Sequence, residues 1–155
     1  MSVELRAARS TDAGAIGDIL HAFNRDTVWM PDLHSAAETL SFCGTMIDRG
    51  WVTVAVVGGV VRGFIARDGA EVCSLYVAQG DTGQGIGRDL LEAAKREAGR
   101  LELRTFVANT GAQRFYLRHG FVEAGRGDGQ GNDENLPDIA YVWESKDHPV
   151  KGPNT

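Results

Sequence analysis

Cysteine is scarce in this sequence. Cys43 and Cys73 are the two in 155 residues, with no CxxC pair and no clustered histidines. A disulfide framework and a metal site are both disfavoured, and the thiols read as buried apolar groups in a reducing cytosol. Nor does any apolar run approach the roughly 18 residues that a membrane-spanning helix needs. The opening Met1-Ser2-Val3-Glu4-Leu5-Arg6 lacks the regions of a signal peptide, so a cytoplasmic location without membrane attachment is expected. Basic residues are outnumbered by acidic ones, 16 to 21, which leaves a net charge near −5 and argues against nucleic acid as a partner. A cationic substrate suits that balance better. Long repeats and interior linkers are missing too. What is present is 43% apolar residues, enough core for one ordinary globular domain. That domain is expected over residues 1–144, with the aperiodic stretch 145–155 as a loose tail.

Hydrophobic periodicity orders the elements. Val3 to Ala8 alternates as a first strand. Ser10 or Thr11 is expected to cap a helix whose apolar face is Ala13, Ile16, Ile19, Leu20 and Phe23. A loop from Asn24 to His34 follows, carrying Trp29-Met30-Pro31-Asp32. Ser35-Ala36-Ala37-Glu38 reads as a capping box for a second helix, with Leu40, Cys43 and Ile47 inward and Gly50 as its stop. Trp51 to Val57, Val60 to Ala66 and Ala70 to Val77 are three strands joined by Gly58-Gly59 and Asp68-Gly69. Connections this short allow antiparallel pairing only. Ile86, Leu90, Leu91, Ala94 and Ala98 share one face of a third helix, and Leu101 to Ala108 is a strand. Thr110-Gly111-Ala112-Gln113 is a second capping box, opening a short helix that Gly120 ends. Phe121 begins another strand, and Asp138 to Trp143 is the last. The order βαα-βββ-α-β-α-ββ describes an α/β chain of the mixed-sheet, α+β kind, with about six or seven strands and about four helices.

The segment Leu75-Tyr76-Val77-Ala78-Gln79-Gly80-Asp81-Thr82-Gly83-Gln84-Gly85-Ile86-Gly87-Arg88 runs from strand through alternating glycines into a helix. Missing Cβ atoms let backbone N–H groups approach a ligand, and the helix directs its positive end at the same place. That combination suits a phosphate or pyrophosphate. The spacing Gly83-x-Gly85-x-Gly87 departs from the dinucleotide fingerprint, and antiparallel strands precede it instead of βαβ units. A P-loop is excluded, because no Lys-Ser or Lys-Thr follows the glycines. A tight connection without ligand is the remaining alternative.

Two motifs in order resemble the GNAT N-acetyltransferase superfamily, which moves an acyl group from coenzyme A to an amine. Thr82-Gly83-Gln84-Gly85-Ile86-Gly87 is similar to its R/Q-x-x-G-x-G/A signature, after a strand Leu75-Tyr76-Val77. Asn109, Ala112, Phe115-Tyr116 and Gly120-Phe121 are similar to its later N-x-x-A-x-x-F-Y-x-x-x-G-F segment. One position departs: the head of the loop is Thr82, which keeps the backbone N–H but offers no long cationic or amide arm. Arg88 at the helix start is a candidate substitute, or else a solvated surface arginine.

The resemblance implies a GNAT-like fold and acetyl-CoA as co-substrate, with no metal. It places the diphosphate on Thr82, Gly83, Gln84, Gly85, Ile86, Gly87 and Arg88, and pantetheine along Leu75, Tyr76 and Val77, with help from Asn109. It makes Tyr116 the acid that protonates the leaving thiolate. For a base it points to Glu71, or to Ser74 orienting a water, although either also reads as an ordinary strand residue. The acceptor, a small-molecule or peptide amine, is expected against Trp29 and His34 and the late loop Arg126 to Asp138, with Asp133, Glu134 and Asp138 as anions that could attract it. Trp29 reads equally as a core anchor. Homodimers are common in the resembled family. An acyl-CoA-binding or sensor protein without catalysis is the alternative reading.

Overall fold

The computed structural model describes residues 2–146. The order of elements is β1 Glu4–Ala7, α1 Ala13–Asp26, α2 Ala36–Asp48, β2 Val52–Val57, β3 Val60–Asp68, β4 Glu71–Val77, α3 Ile86–Glu97, β5 Arg100–Phe106, α4 Thr110–Arg118, β6 Val122–Gly127 and β7 Asp138–Glu144. The seven strands and four helices follow the order read from the sequence. Nearly all the expected tail, from residue 147 on, lies outside the described residues.

Contacts divide the chain into two compact units. One comprises the chain up to Asp68 together with Cys73–Ala93; the other comprises Gly69–Val72 and the chain from Ala94 on. Strand β4 contributes to both. In the first unit hydrogen bonding orders the strands β1-β2-β3-β4, and in the second β4-β5-β7-β6. Pairing of β1 with β2 and of β2 with β3 is antiparallel. The β2–β3 hairpin turns on Gly58 and Gly59, with φ of 57° and 77°. These are the two left-handed positions that a tight primed turn requires. In the second unit β4 and β5 run parallel at Glu71↔Glu102, while β7 lies antiparallel between β5 and β6. The sheet is therefore mixed.

The core of the first unit joins Ile16 and Leu20 of α1, Cys43, Met46 and Ile47 of α2, and Val52, Val54, Phe64 and Ala66 of the sheet. Burial also pushes the Cys43 thiol up to about 11. Three expectations need correction here. Leu40 is 46% exposed, and Met46 takes the inward place that helical spacing had assigned to it. Cys73 is exposed, because β4 alternates and turns Val72 and Ser74 inward instead. Neither Ser10 nor Thr11 caps α1: a 3₁₀ turn Ser10–Asp12 precedes it, and Asp12 accepts the Arg9 N–H at 2.7 Å and the Arg6 guanidinium at 2.7 and 3.1 Å. The Ser35–Glu38 capping box forms as expected, with both bonds at 3.1 Å. Gly50 stops α2 at φ 75°.

Candidate functional site

In the first unit the sheet delivers β4 to a glycine-rich turn and then to α3. Ala78 N–H donates to Arg62 O at 2.8 Å, which ends the β3–β4 pairing, and Asp81 N–H closes a turn on Ala78 O at 3.1 Å. Gly80, Gly83 and Gly85 have φ of 87°, 80° and 87°. Such conformations cost an L side chain roughly 1–3 kcal/mol, so glycine is needed for the path of the chain as well as for access. Gly87, by contrast, lies within the first turn of α3. Asp89 N–H makes the first helical bond, to Gly85 O at 2.9 Å. The N–H groups of Ile86, Gly87 and Arg88 therefore have no acceptor within the helix, and the positive end of its dipole lies there. Thr82, Gly83 and Gln84 are exposed, and Gln84 Nε2 reaches back to Gly80 O at 3.4 Å. Ile86 is anchored instead. A Cβ on Gly63 would lie 3.0 Å from Ile86 Cγ2 and 3.1 Å from Tyr76 O, so the bare backbone of β3 is what lets α3 settle on the sheet. A cluster of unpaired N–H groups at a helix start suits an anion.

Upstream on β4, Leu75, Tyr76 and Val77 are half-buried and Ser74 is buried. The Tyr76 ring packs 5.8 Å from Phe64 and edge-on 5.0 Å from Phe23, and Phe23 in turn meets Trp29 edge-on at 6.3 Å. The Arg25 guanidinium holds the Asp26 carboxyl, at the end of α1, below its ordinary range, with a smaller contribution from Gln79. The segment from Phe23 to Trp29 is thus joined to the strand and turn that lead into the glycines. His34 is drawn elsewhere: it is exposed and faces Glu38 Oε2 at 3.8 Å. The Ser35 backbone N–H, with smaller help from its hydroxyl and His34, holds the Glu38 carboxyl below its ordinary range.

The second unit holds the remaining candidates. Glu71 opens β4, exposed and in register with Glu102, whose N–H donates to Ala70 O at 2.8 Å. It precedes Val77 by six residues, about 20 Å along a strand. Tyr116 on α4 is 7% exposed, with its ring edge-on to Phe115 at 5.2 Å and Phe121 at 5.3 Å and tilted against Tyr141 at 6.4 Å. Asn109, and not Thr110, caps α4: its Oδ1 accepts the Ala112 N–H at 3.0 Å, while Gln113 Nε2 donates to Val107 O at 2.6 Å. The cap read at Thr110 therefore falls one residue earlier, and no reciprocal box forms, because the third helical residue is then Ala112. In the late loop Asp138 is buried and receives Arg104 Nη1 at 2.8 Å, so its charge is already answered. Asn132 clasps Leu136 through both backbone groups, at 2.8 and 3.1 Å. Among the described residues no group of three or more His, Cys, Asp or Glu is placed to hold a metal, and no helix is long and apolar enough to cross a membrane.

Residues 48–123, the stretch that contains both motifs, match the family model for the acetyltransferase (GNAT) domain. That stretch is a GNAT acetyltransferase domain. Among solved structures it is similar to apo YjaB from Escherichia coli, with a TM-score of 0.78 and 21% identity over 94% of this chain and 99% of that one. A ribosomal-protein-alanine N-acetyltransferase from Brucella melitensis matches at 0.72 and 24% identity, covering 91% and 99%. The structure of yncA from Salmonella typhimurium with its cofactor acetyl-CoA matches at 0.73 and 20%, covering 99% of each. At these identities the likeness is one of fold. No curated protein sequence matches the chain.

Several residues that shape this GNAT loop escaped the sequence reading. Gly63 carried the one available signal, an isolated glycine inside a strand pattern, which marks close approach of another element. Arg62, Asp81, Asp26 and Gln79 had none, since their partners are set by tertiary structure. Arg62 Nη1 lies 3.6 Å from Asp81 Oδ2, and Arg88 folds back so that its Nη2 sits 2.8 Å from where a Gly85 Cβ would be.

Proposed function

We propose that this protein is an acetyl-CoA-dependent N-acetyltransferase that passes the acetyl group directly to a primary amine in a ternary complex. One observation carries the reading: in a chain matched to the GNAT domain over residues 48–123, three left-handed glycines form a turn ahead of an α-helix N-terminus. Bound acetyl-CoA supplies a thioester-activated acetyl group. The exposed turn Thr82 to Gln84 and the free N–H groups at the start of α3 receive the diphosphate. The main chain of Leu75, Tyr76 and Val77 pairs with pantetheine and offers an N–H to the thioester carbonyl. Tyr116 delivers a proton to the departing sulfur, and Asn109 positions the helix that carries it through its cap. A lysine-like amine has a solution pKa of about 10.4, so a neutral fraction must be captured or generated. Glu71, or a water held near Ser74, is the candidate base. The aromatic segment at Trp29, tied through Phe23 to Tyr76, is the candidate wall for the acceptor.

Calorimetry with acetyl-CoA, paired with coenzyme A thiol release over a panel of small amines and peptide N-termini, tests the reading. Binding together with acceptor-dependent release is expected; no binding at millimolar acetyl-CoA sinks it. A second reading, an acyl-CoA-binding protein without catalysis, is favoured by the burial of Tyr116 among three aromatic rings. Tight binding with no release for any acceptor would select it.

A further inference from the structure

The loop lacks a cationic arm at Thr82, yet two arginines from outside the Thr82–Gly87 signature reach it. Arg62 projects from β3 to Asp81, immediately before Thr82, at 3.6 Å. Arg88, in the first turn of α3, lays its guanidinium over Gly85. Three arginines elsewhere hold carboxylates closely: Arg6 holds Asp12 at 2.7 Å, Arg100 holds Glu102 at 2.7 Å and Arg104 holds Asp138 at 2.8 Å. Arg62 and Arg88 do not. Their carboxylate contacts are 3.6 and 3.4 Å, outside the span of about 2.7–3.2 Å of a good N–H···O bond, and their side chains are 44% and 59% exposed. Turning either guanidinium onto an anion therefore gives up little. Asp81 sharpens the requirement, since a carboxylate next to a diphosphate site repels the ligand unless a cation covers it.

We infer that Arg62 and Arg88 are the two cationic arms that clasp the diphosphate of the acyl-CoA donor, supplying what Thr82 does not. The inference rests on the donor site proposed above. A guanidinium presents two parallel N–H groups to phosphate oxygens, a geometry a threonine hydroxyl cannot reproduce. Arg62 has a double task, because it also offsets Asp81.

Calorimetric titration with coenzyme A and with dephospho-coenzyme A tests this, using variants whose folding is checked by circular dichroism and thermal melts. R62Q and R88Q should each weaken coenzyme A binding on the order of tenfold, as expected for loss of a partly exposed charge-assisted contact. Both should weaken dephospho-coenzyme A equally, since the diphosphate is common to the two. T82R placed in the R88Q background should restore most of the loss, and D81N alone should tighten binding. If R62Q does not fold, D81N reads the same arm. Unchanged affinity in R62Q and R88Q, over a wild type that binds, overturns the assignment and leaves the proposed function standing. Weakening confined to coenzyme A would move the arms to the 3′-phosphate and likewise overturn it, as would unchanged or weaker binding by D81N. A wild type that binds no coenzyme A removes the proposed function, and this inference with it.

Discussion

Tyr116 packs its ring against Phe115, Phe121 and Tyr141, so deleting only the hydroxyl leaves those contacts in place. Tyr116→Phe should therefore fold normally and bind coenzyme A like the wild type, while turnover falls about 100-fold or more, the usual scale for losing a general acid. A turnover within twofold of wild type takes Tyr116 out of the mechanism. Asp12 makes a separate prediction, about stability. The Arg6 guanidinium, helped by the Arg9 backbone N–H, holds its carboxyl below the ordinary carboxylate value against an opposing push from burial. A carboxyl depressed in the folded state contributes stability that is complete above its unfolded pKa and is lost as pH falls through the folded one. Urea unfolding from pH 6 downwards should show stability declining below about pH 4, where an unperturbed aspartate titrates. Asp12→Asn should remove that part of the decline and cost on the order of 1–2 kcal/mol at neutral pH. An acid limb identical in the two proteins would show that the pair contributes nothing.

Packing of α3 on the sheet depends on a strand glycine. At Gly63 a Cβ would press on Ile86 Cγ2 and on the Tyr76 carbonyl oxygen, the first of these in the helix that follows the glycine turn and the second in β4. Gly63→Val should lose about 1–3 kcal/mol by overpacking and, because α3 must shift, should weaken acetyl-CoA binding as well. Denaturant unfolding and calorimetry on one preparation read both; a stability loss with full affinity would show that β3 yields instead of α3. The elements themselves were legible, since their signals are local: alternation in β4, the three-to-four-residue stripe of Ile86, Leu90, Leu91 and Ala94, and the Ser35–Glu38 box. Caps were legible only to within a residue. Asn109 and Thr110 are both good cap residues, and the choice fell to Asn109, whose Oδ1 reaches the Ala112 N–H. Helix faces were misjudged where two apolar residues competed, as at Leu40 and Met46, because the winner is set by what packs opposite.

At the scale of the molecule, short connections betrayed the β2–β3 hairpin, but nothing local could place β7 between β5 and β6, an order fixed by contacts remote in sequence. The candidate loop was legible for a similar reason of locality: its glycines and the helix start are one contiguous stretch, whereas Arg62 and Gly63 meet partners remote in sequence. That contrast bears on how a ligand should affect the whole chain. A donor that binds the folded state, and finds no such cradle in the unfolded one, stabilises by RT ln(1 + [L]/Kd), about 2.7 kcal/mol at a hundredfold excess over Kd. For a domain of this size that corresponds to a rise in Tm of roughly 5–10 °C. Thermal melts across an acetyl-CoA series should shift accordingly, with the Kd implied by the shift agreeing with calorimetry. Acetate, which carries neither diphosphate nor pantetheine, should leave the Tm unmoved at equal ionic strength. Equal shifts from acetate and acetyl-CoA would reduce the effect to a general response to anions and remove the glycine turn as a specific donor site.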